Sequence, residues 1–496
     1  MNLFTRFAAA ADGRPDKTAV CWGDEELSFG WLRERAARLA DKLVDACGLR
    51  PGDRVAVWLK NCPEFPATLF GIWQAGGVVV MVNNFLKPDE VDFILSDAGV
   101  RLVVTDHDLA EKEAELCGRD RGWEFLHVED FDNWTTGGLE RRPTVGGEDL
   151  AALLYTSGTT GHPKGAMLSH ANFLHNVASC VECLEIVEED RIVVLLPQFH
   201  SFMFTVGTLL PLLSGAGIVL LKSLHPFKNV LVEIIQRKGT ILPAVPPLYR
   251  SLVQAAELPP LPLRICISGG APLPVETLRA FEARFPFPLV EGYGPTETSP
   301  VATVNPLAGP RKAGSVGVPI PNVELSIRDD AGDELPVGET GELCIRGGNV
   351  MRGYWNQPEE TAAVLRDGWL YTGDVGHRDA DGFFFITDRK KDMLLVNGIN
   401  VYPREIEEVI YHFPGVKEAA VIGVTDPRKG EQPIAYVAAV EGVTIDGAEL
   451  RRFVRTKLAD YKVPREVREL PALPRNATGK ILKTELRRMA QAAASS

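Results

Sequence analysis

Residues 155–165 read Tyr-Thr-Ser-Gly-Thr-Thr-Gly-His-Pro-Lys-Gly, which packs three glycines, four Ser/Thr hydroxyls, a proline and a lysine into eleven positions. An apolar run, residues 151–154, comes directly before it and reads as a buried strand. Such a segment can turn its backbone N–H groups toward phosphate oxygens, with hydroxyls as further donors and Lys164 as counter-charge. It is not a Walker loop: that motif places Gly-Lys-Ser/Thr after four intervening residues, whereas here His162 and Pro163 precede Lys164 and Gly165 follows it. A plain surface loop is the other reading of a Gly/Ser/Thr cluster between strands. Phosphate chemistry therefore needs support from residues elsewhere that could handle the rest of a nucleotide.

Such residues occur in order along the chain. Residues 291–298, Glu-Gly-Tyr-Gly-Pro-Thr-Glu-Thr, join an aromatic face to a threonine and a carboxylate on a glycine turn. Residues 371–374, Tyr-Thr-Gly-Asp, offer a carboxylate suited to a ribose diol. Residues 387–393, Thr-Asp-Arg-Lys-Lys-Asp-Met, are followed by Val-Asn-Gly-Ile-Asn-Val-Tyr-Pro-Arg-Glu-Ile-Glu at 396–407, and residues 474–483 read Pro-Arg-Asn-Ala-Thr-Gly-Lys-Ile-Leu-Lys. Any one of these could be structural, a glycine turn or a solvated charge run; their joint order and spacing carry the reading. No convincing Ser-His-Asp set accompanies them.

The elements that must position these motifs alternate. Residues 54–59, 78–82 and 101–105 read as strands; 63–74 and 88–96 read as helices. Residues 31–44, after Ser28 as a candidate N-cap, carry Leu32, Ala36, Leu39 and Leu43 at helical spacing. Strand–helix alternation predicts parallel sheets covered on both faces, with ligands at the carboxyl ends of the strands. From about 315 to 387, Gly-Asp, Asp-Gly and Pro-Gly turn signals indicate a β-rich subdomain. Beyond it, helices at 403–411 and 447–459 and strands near 419–424 and 435–439 form a small α+β unit.

Composition bounds the rest. A chain of 496 residues exceeds one compact core, so two or more domains are expected. A formal net charge of −13 argues against nucleic acid as a partner. The eight cysteines show no framework spacing, and Cys180 and Cys183 form a lone CxxC in an expected helix with no second pair or histidine partner, so no metal or redox role is assigned to them. The N-terminal apolar stretch is too short for a secretory signal, and a cytoplasmic location is expected. Residues 192–221 lack Asp, Glu, Lys and Arg, but Pro197, Gln198, His200, Pro211, Ser214 and Gly215 interrupt them, so they read as buried strands flanking a helix and not as a membrane span. Peripheral membrane contact and a homodimer stay compatible with this composition.

Taken together, the motifs closely resemble the adenylate-forming superfamily of acyl-CoA synthetases, peptide-synthetase adenylation domains and beetle luciferases, over almost the whole chain and most weakly before about residue 150. The resemblance implies an α/β fold in which a large N-terminal AMP-binding domain (1–388) of layered α/β sheets and a β-rich subdomain joins, through a hinge at 389–391, a small mobile α+β lid (392–496). It implies that ATP and a carboxylic acid form an acyl-AMP with release of pyrophosphate, after which a thiol, CoA, displaces AMP. By resemblance, Thr156, Ser157, Gly158, Thr159, Thr160, Gly161 and Lys164 hold the β- and γ-phosphates. Gly270, Ala271 and Pro272, with Glu291, Gly292 and Gly294, line the adenine site, where Tyr293 stacks. Thr296 contacts the α-phosphate, Glu297 helps hold Mg²⁺, and Asp374 and Arg389 bind the ribose. Lys480 matches the catalytic lysine of the lid, Lys391 the hinge, and Gly398 the point where the pantetheine arm passes close to the backbone.

The acid is read from residues 199–202, Phe-His-Ser-Phe. Amino-acid-activating relatives carry an aspartate there to pair with the substrate ammonium, and a neutral His200 is a poor counter-ion. His200 instead resembles the ring that gates the carboxylate pocket in acyl-CoA synthetases. Phe202, Val245, Leu248 and Val301 are candidates for an apolar acyl pocket. Residues 296–306 look most like fatty-acyl members, so a medium- or long-chain fatty acid is the expected substrate. Aryl acids of benzoate or coumarate type, or loading of a carrier protein by a fatty-acyl-AMP ligase, are the alternatives.

Overall fold

The computed structural model describes residues 1–135, 145–156, 163–223, 226–255, 258–397, 399–426, 430–476 and 480–495. A nine-stranded sheet runs in the order Val318–Pro319, Thr303–Val304, Leu289–Tyr293, Ile265–Ser268, Ile241–Ala244, Arg191–Val194, Gly217–Leu220, Thr18–Trp22, Glu25–Ser28. A six-stranded sheet runs Glu124–His127, Leu102–Thr105, Arg54–Trp58, Val78–Met81, Leu150–Thr156, Lys164–Ser169. The inner strands of both are parallel and buried along their length, as their valine- and isoleucine-rich runs require. Both sheets are nonetheless mixed, with antiparallel pairs beside the expected parallel strands. Thr18–Trp22 pairs antiparallel with Glu25–Ser28, and Leu150–Thr156 pairs antiparallel with Lys164–Ser169. Only antiparallel partners can be joined by connections this short.

The glycine-rich segment therefore lies between two hairpin strands, Thr156 facing Lys164 in register, and not between a strand and a helix. Ser157, Gly158, Thr159, Thr160 and Gly161 lie outside the described residues. The following helix, His170–Cys183, starts at Ser169, whose hydroxyl accepts from the Asn172 N–H while Asn172 reaches back to the Ser169 N–H. Residues 192–221 resolve into the strands Arg191–Val194 and Gly217–Leu220 around a π-helical stretch, Met203–Leu209, that continues as the helix Leu210–Ser214. No described helix is long and apolar enough to cross a membrane.

A five-stranded antiparallel sheet (Val323–Arg328, Gly341–Gly347, Trp369–Arg378, Leu365–Arg366, with Phe384–Arg389 beside Trp369–Arg378) follows. The C-terminal part has its own sheet, Ile399–Val401, Leu394–Val396, Gly430–Ala439, Val416–Asp426, with Glu466–Glu469 parallel to Gly430–Ala439. Its helices cover this sheet. Val401, Ile406, Ile410, Val421 and Val437 pack in one cluster, and Ile422, Tyr436, Leu473 and Leu486 in another, both separate from the large N-terminal core.

The turn after strand Leu289–Tyr293 is the tightest point of the main sheet. A Cβ on Gly294 would stand 1.6 Å from the Pro300 carbonyl oxygen, so only glycine lets these two backbone segments meet. Gly294→Ala should cost about 1–3 kcal/mol, whereas Gly146→Ala, whose added methyl would meet only Asp149 Oδ2 at 3.6 Å, should stay within about 0.5 kcal/mol. Parallel thermal melts of the two variants would check this; equal melting temperatures would contradict the close approach.

Candidate active site

Strands Ile265–Ser268 and Leu289–Tyr293 are parallel neighbours with Ser268 opposite Glu291, so their carboxyl ends deliver two glycine turns to the same place. Gly270, at φ +75°, leads into Ala271 and Pro272. The buried Glu291 carboxylate accepts the Leu273 N–H at 3.0 Å and so ties the turns together; burial pushes its pKa up to about 7. Gly292 and Gly294 flank Tyr293.

Tyr293, Asp374 and Arg389, some eighty residues or more apart in sequence at their widest, meet. The Tyr293 hydroxyl donates to Asp374 Oδ2 at 2.5 Å, and Arg389 Nε donates to Oδ1 at 2.9 Å. Asp374 and Arg389 are register partners across the antiparallel pair Trp369–Arg378 and Phe384–Arg389, which fixes their approach. Asp374 is only 3% exposed. Its charge raises the Arg389 pKa, and burial, followed by Asp374, pushes the Tyr293 phenol well up.

A second group gathers around Glu297. Its Oε1 accepts the Tyr354 hydroxyl at 2.8 Å, and its carbonyl accepts the Met351 N–H at 2.8 Å. Lys164 is buried, pairs with the Glu360 carboxylate, and has its ammonium 5.3 Å from the centre of the Tyr354 ring. Thr296 Oγ1 lies 3.1 Å from Ser201 Oγ, which joins the 296–297 turn to His200 and Phe202. His200 Nδ1 accepts the Phe202 N–H at 3.3 Å, leaving the ring proton on Nε2. Burial, and then the charge of Lys480, hold the His200 pKa down to about 4, so the ring is neutral near pH 7.

Lys480 comes from the C-terminal part. Its N–H donates to Asn476 Oδ1 at 2.8 Å. Its side chain retains access to solvent, yet protein from both parts of the chain crowds it, and burial, followed by the Arg389 charge, holds its pKa down to about 8. Asp374 and Asp392 oppose that shift and Lys391 adds to it. Lys391 itself is lowered by burial and by Arg389. Next to it, Asp388 accepts the N–H groups of Arg389 at 2.7 Å and Arg404 at 2.8 Å, fastening the end of the five-stranded sheet to the helix Pro403–Tyr411. Gly398 lies outside the described residues.

Beside the strand ends is a small cavity of about 60 Å³. His200, Phe202, Gly270, Tyr293 and Val301 line it, and so do Ser268, Cys180 and Cys183. The Ser268 hydroxyl is fully buried and finds no partner among the described residues. Val245 and Leu248 are not on this wall. They occupy the N-cap and first turn of the helix Pro246–Gln254 and pack against the large core. Ser201, Tyr354, Glu360 and the two cysteines were not picked out as site residues from sequence.

The AMP-binding enzyme family model matches residues 7–355, and the AMP-binding enzyme C-terminal domain model matches residues 405–480. The chain is 40% identical over 481 residues to a feruloyl-CoA synthase from an Amycolatopsis species, covering 96% of each protein. It is 37% identical over 515 residues to a long-chain-fatty-acid–CoA ligase of Bacillus subtilis strain 168, covering 95% of this chain and 91% of that one. Its fold matches a benzoate CoA ligase from Burkholderia xenovorans LB400 with a TM-score of 0.90 at 28% identity, covering 98% of this chain and 100% of that one.

The Lys480 pKa sets an expectation for pH. A lysine lowered to about 8 carries its charge below that value and loses it above. Any step that uses the cation should run fully near pH 7 and fall as pH rises through 8, in the kcat/KM profile that reports the free enzyme. Lys480→Arg, always charged, should flatten the alkaline limb even at a reduced rate. A wild-type profile level to pH 10 would remove the Lys480 cation from the reaction.

Proposed function

For a chain that belongs to the AMP-binding enzyme family, and so to the ATP-dependent, AMP-forming acid–CoA ligases, we propose a compact aromatic acid of ferulate or benzoate type as the substrate. One oxygen of its carboxylate attacks the α-phosphorus of ATP. The bond to the β-phosphate oxygen breaks and pyrophosphate leaves, giving acyl-AMP. The thiol of CoA then attacks the acyl carbon, the thiol proton passes to solvent or a base, and AMP departs.

In this reading Tyr293 stacks on adenine, and the ribose hydroxyls take the Asp374 oxygen that now receives the Tyr293 hydroxyl, with Arg389 beside them. Thr156, the 157–161 stretch and Lys164 meet the β- and γ-phosphates, and Thr296 meets the α-phosphate. The Glu297 carboxylate fits a magnesium ion, a hard cation that takes few protein ligands and keeps water and phosphate oxygens; the ion would neutralise phosphate charge. His200, neutral with its proton on Nε2, can donate to the acid carboxylate without a charge of its own. Lys480 offsets the negative charge that builds up where carboxylate and phosphate meet. Residues 389–391 form the hinge between an N-terminal domain (1–388) and a lid (392–496), and Gly398 lies on the path of the thiol arm.

The observation that carries the aromatic reading is the cavity beside Tyr293 and His200, which is small, about 60 Å³, and mainly apolar. Phe202, one of its lining residues, packs against Gly269, where an added Cβ would meet its ring at 3.1 Å. So small an apolar space suits a compact ring better than a long chain. The similarity to a feruloyl-CoA synthase supports the same class. A medium- or long-chain fatty acid is the second reading, favoured by the 37% identity to the Bacillus subtilis ligase.

Pyrophosphate release over a panel of hydroxycinnamic, benzoic and straight-chain acids, with and without CoA, separates the two. Aromatic acids should give the highest specificity constants. Specificity constants that climb about fourfold per methylene over several carbons, as burial of about 0.8 kcal/mol each would give, would establish the fatty-acid reading instead. In the same assay Lys480→Ala should cut adenylate formation by at least about a hundredfold while thioester formation from supplied acyl-AMP is much less affected. Equal losses in both half-reactions would overturn the role given to Lys480.

A further inference from the structure

The cavity beside Tyr293 has one wall that the reaction scheme leaves unused. Cys180, Cys183 and Leu184, from the last turn of the His170–Cys183 helix and its C-cap, all line it. Their position along the cavity follows from two anchors. At one end the buried Asn176 clasps the loop that carries Val301: its amide donates to the Val301 carbonyl at 2.6 Å, and its oxygen accepts the Val301 N–H at 3.2 Å. At the other end Arg264, just before strand Ile265–Ser268, donates to the Leu184 and Glu185 carbonyls at 3.4 and 2.9 Å. Val301 lies a few residues from Thr296, on the nucleotide side, whereas Arg264 marks the opposite, amino-terminal end of the strand. The helix thus runs away from the nucleotide side, and Asn176 to Leu184 covers about 12 Å at 1.5 Å per residue.

Cys180 is fully buried and Cys183 half-buried. The contact with Cys183, followed by burial, holds the Cys180 thiol well above its ordinary pKa, so it is a neutral, soft, space-filling group and not a nucleophile. No described cluster of His, Cys, Asp or Glu surrounds the pair that could hold a metal ion. Ser268, wholly buried at the end of its strand, lines the same cavity.

We infer that Cys180, Cys183 and Leu184 form the end wall of the acid site and fix the size of the acid's distal end. This rests on the acid–CoA ligase reading above. The two small thiols leave room where larger side chains at the same helix positions would not.

The test compares Cys180→Ala, Cys183→Ala, Cys183→Ser and Cys183→Phe in the full-length protein, each checked by thermal melting. For the best aromatic acid and a homologue with one more carbon opposite the carboxylate, the ratio of specificity constants, larger over smaller, should rise about fourfold in each alanine variant, one methylene's worth of space. Cys183→Ser, nearly isosteric, should leave the ratio unchanged. Cys183→Phe should lose the larger acid while still activating the smallest. A second readout is independent of turnover: maleimide labelling of Cys183, followed by mass spectrometry, should be slowed by the acid and not by ATP alone. If the wild type prefers straight-chain acids, the aromatic reading falls, and the same variants must then move the chain-length optimum upward by one or two carbons for the wall to stand. Unchanged acid selectivity in folded, active alanine variants, or labelling indifferent to the acid, would overturn it.

Discussion

Asp374 is the charge around which the cleft is arranged. A carboxylate buried this deeply is tolerated only with partners, and its two partners come from different places: Arg389 from the neighbouring strand of the antiparallel sheet, and Tyr293 from the carboxyl end of a strand in the main sheet. One carboxylate therefore locks the β-rich part to the strand-end turns. Arg389 also begins the segment leading to the C-terminal part, and its guanidinium is the strongest charge acting on Lys480. Removing Asp374 would leave Arg389, Lys391 and Lys480 crowded together without their nearest balancing charge. In the proposed reaction a polyanionic nucleotide would meet cations already held in place at the cost of one buried anion.

Much of this could be read from the chain. Glycines, threonines and carboxylates in the site motifs are local features, and the strands at 54–58, 78–81 and 102–105 are β-branched runs that need no tertiary information. The C-terminal elements also lie close to their expected bounds, since helix Pro403–Tyr411 begins at a proline and packs Ile406 and Ile410 inward. Three kinds of feature were hidden. The hairpin geometry around the glycine-rich segment depends on which strand Lys164–Ser169 pairs with, and alternation alone does not specify it. The π-helical Met203–Leu209 is buried at every residue, so no polar face reveals its pitch. Helix Leu3–Asp12 has a capping box from Asn2 and Thr5, a polar pair that in so short an alanine-rich segment gives only a weak local sign of a helix start.

Three of the unforeseen site residues, Ser201, Tyr354 and Glu360, share one property: each acts through a partner far away in the chain. Ser201 is 95 residues from Thr296, Tyr354 is 57 from Glu297, and Glu360 is 196 from Lys164. A tyrosine, a serine or a surface-type glutamate carries no local mark of such a partner. Val245 and Leu248 carry a related lesson. Apolar residues at the start of a helix look the same in sequence whether they face a cavity or a core; here both are partly buried, and Val245 Cγ1 stands 3.9 Å from where a Cβ on the cavity-lining Gly270 would be.

Those distant pairs also bear on how the site accepts its nucleotide. Lys164 and Glu297 are the cation and the carboxylate that the proposed reaction assigns to phosphate and magnesium, and both already have protein partners. Glu360 neutralises Lys164, Tyr354 donates to Glu297, and the Tyr354 ring lies under the lysine ammonium, so the four side chains form one continuous contact. A buried ammonium such as that of Lys164, left unpaired, would be expensive. In the proposed reaction ATP would then exchange partners instead of uncovering charge: phosphate would take the place of Glu360 at Lys164, and Glu297 would be the residue to hold a magnesium ion, which would supply positive charge to the phosphates. With each group oriented before and after such an exchange, little reorganisation would be left for the chemical step. The same reasoning accounts for placing Glu360 on a short helix at the edge of the site, 37% exposed, where a displaced carboxylate can turn into water.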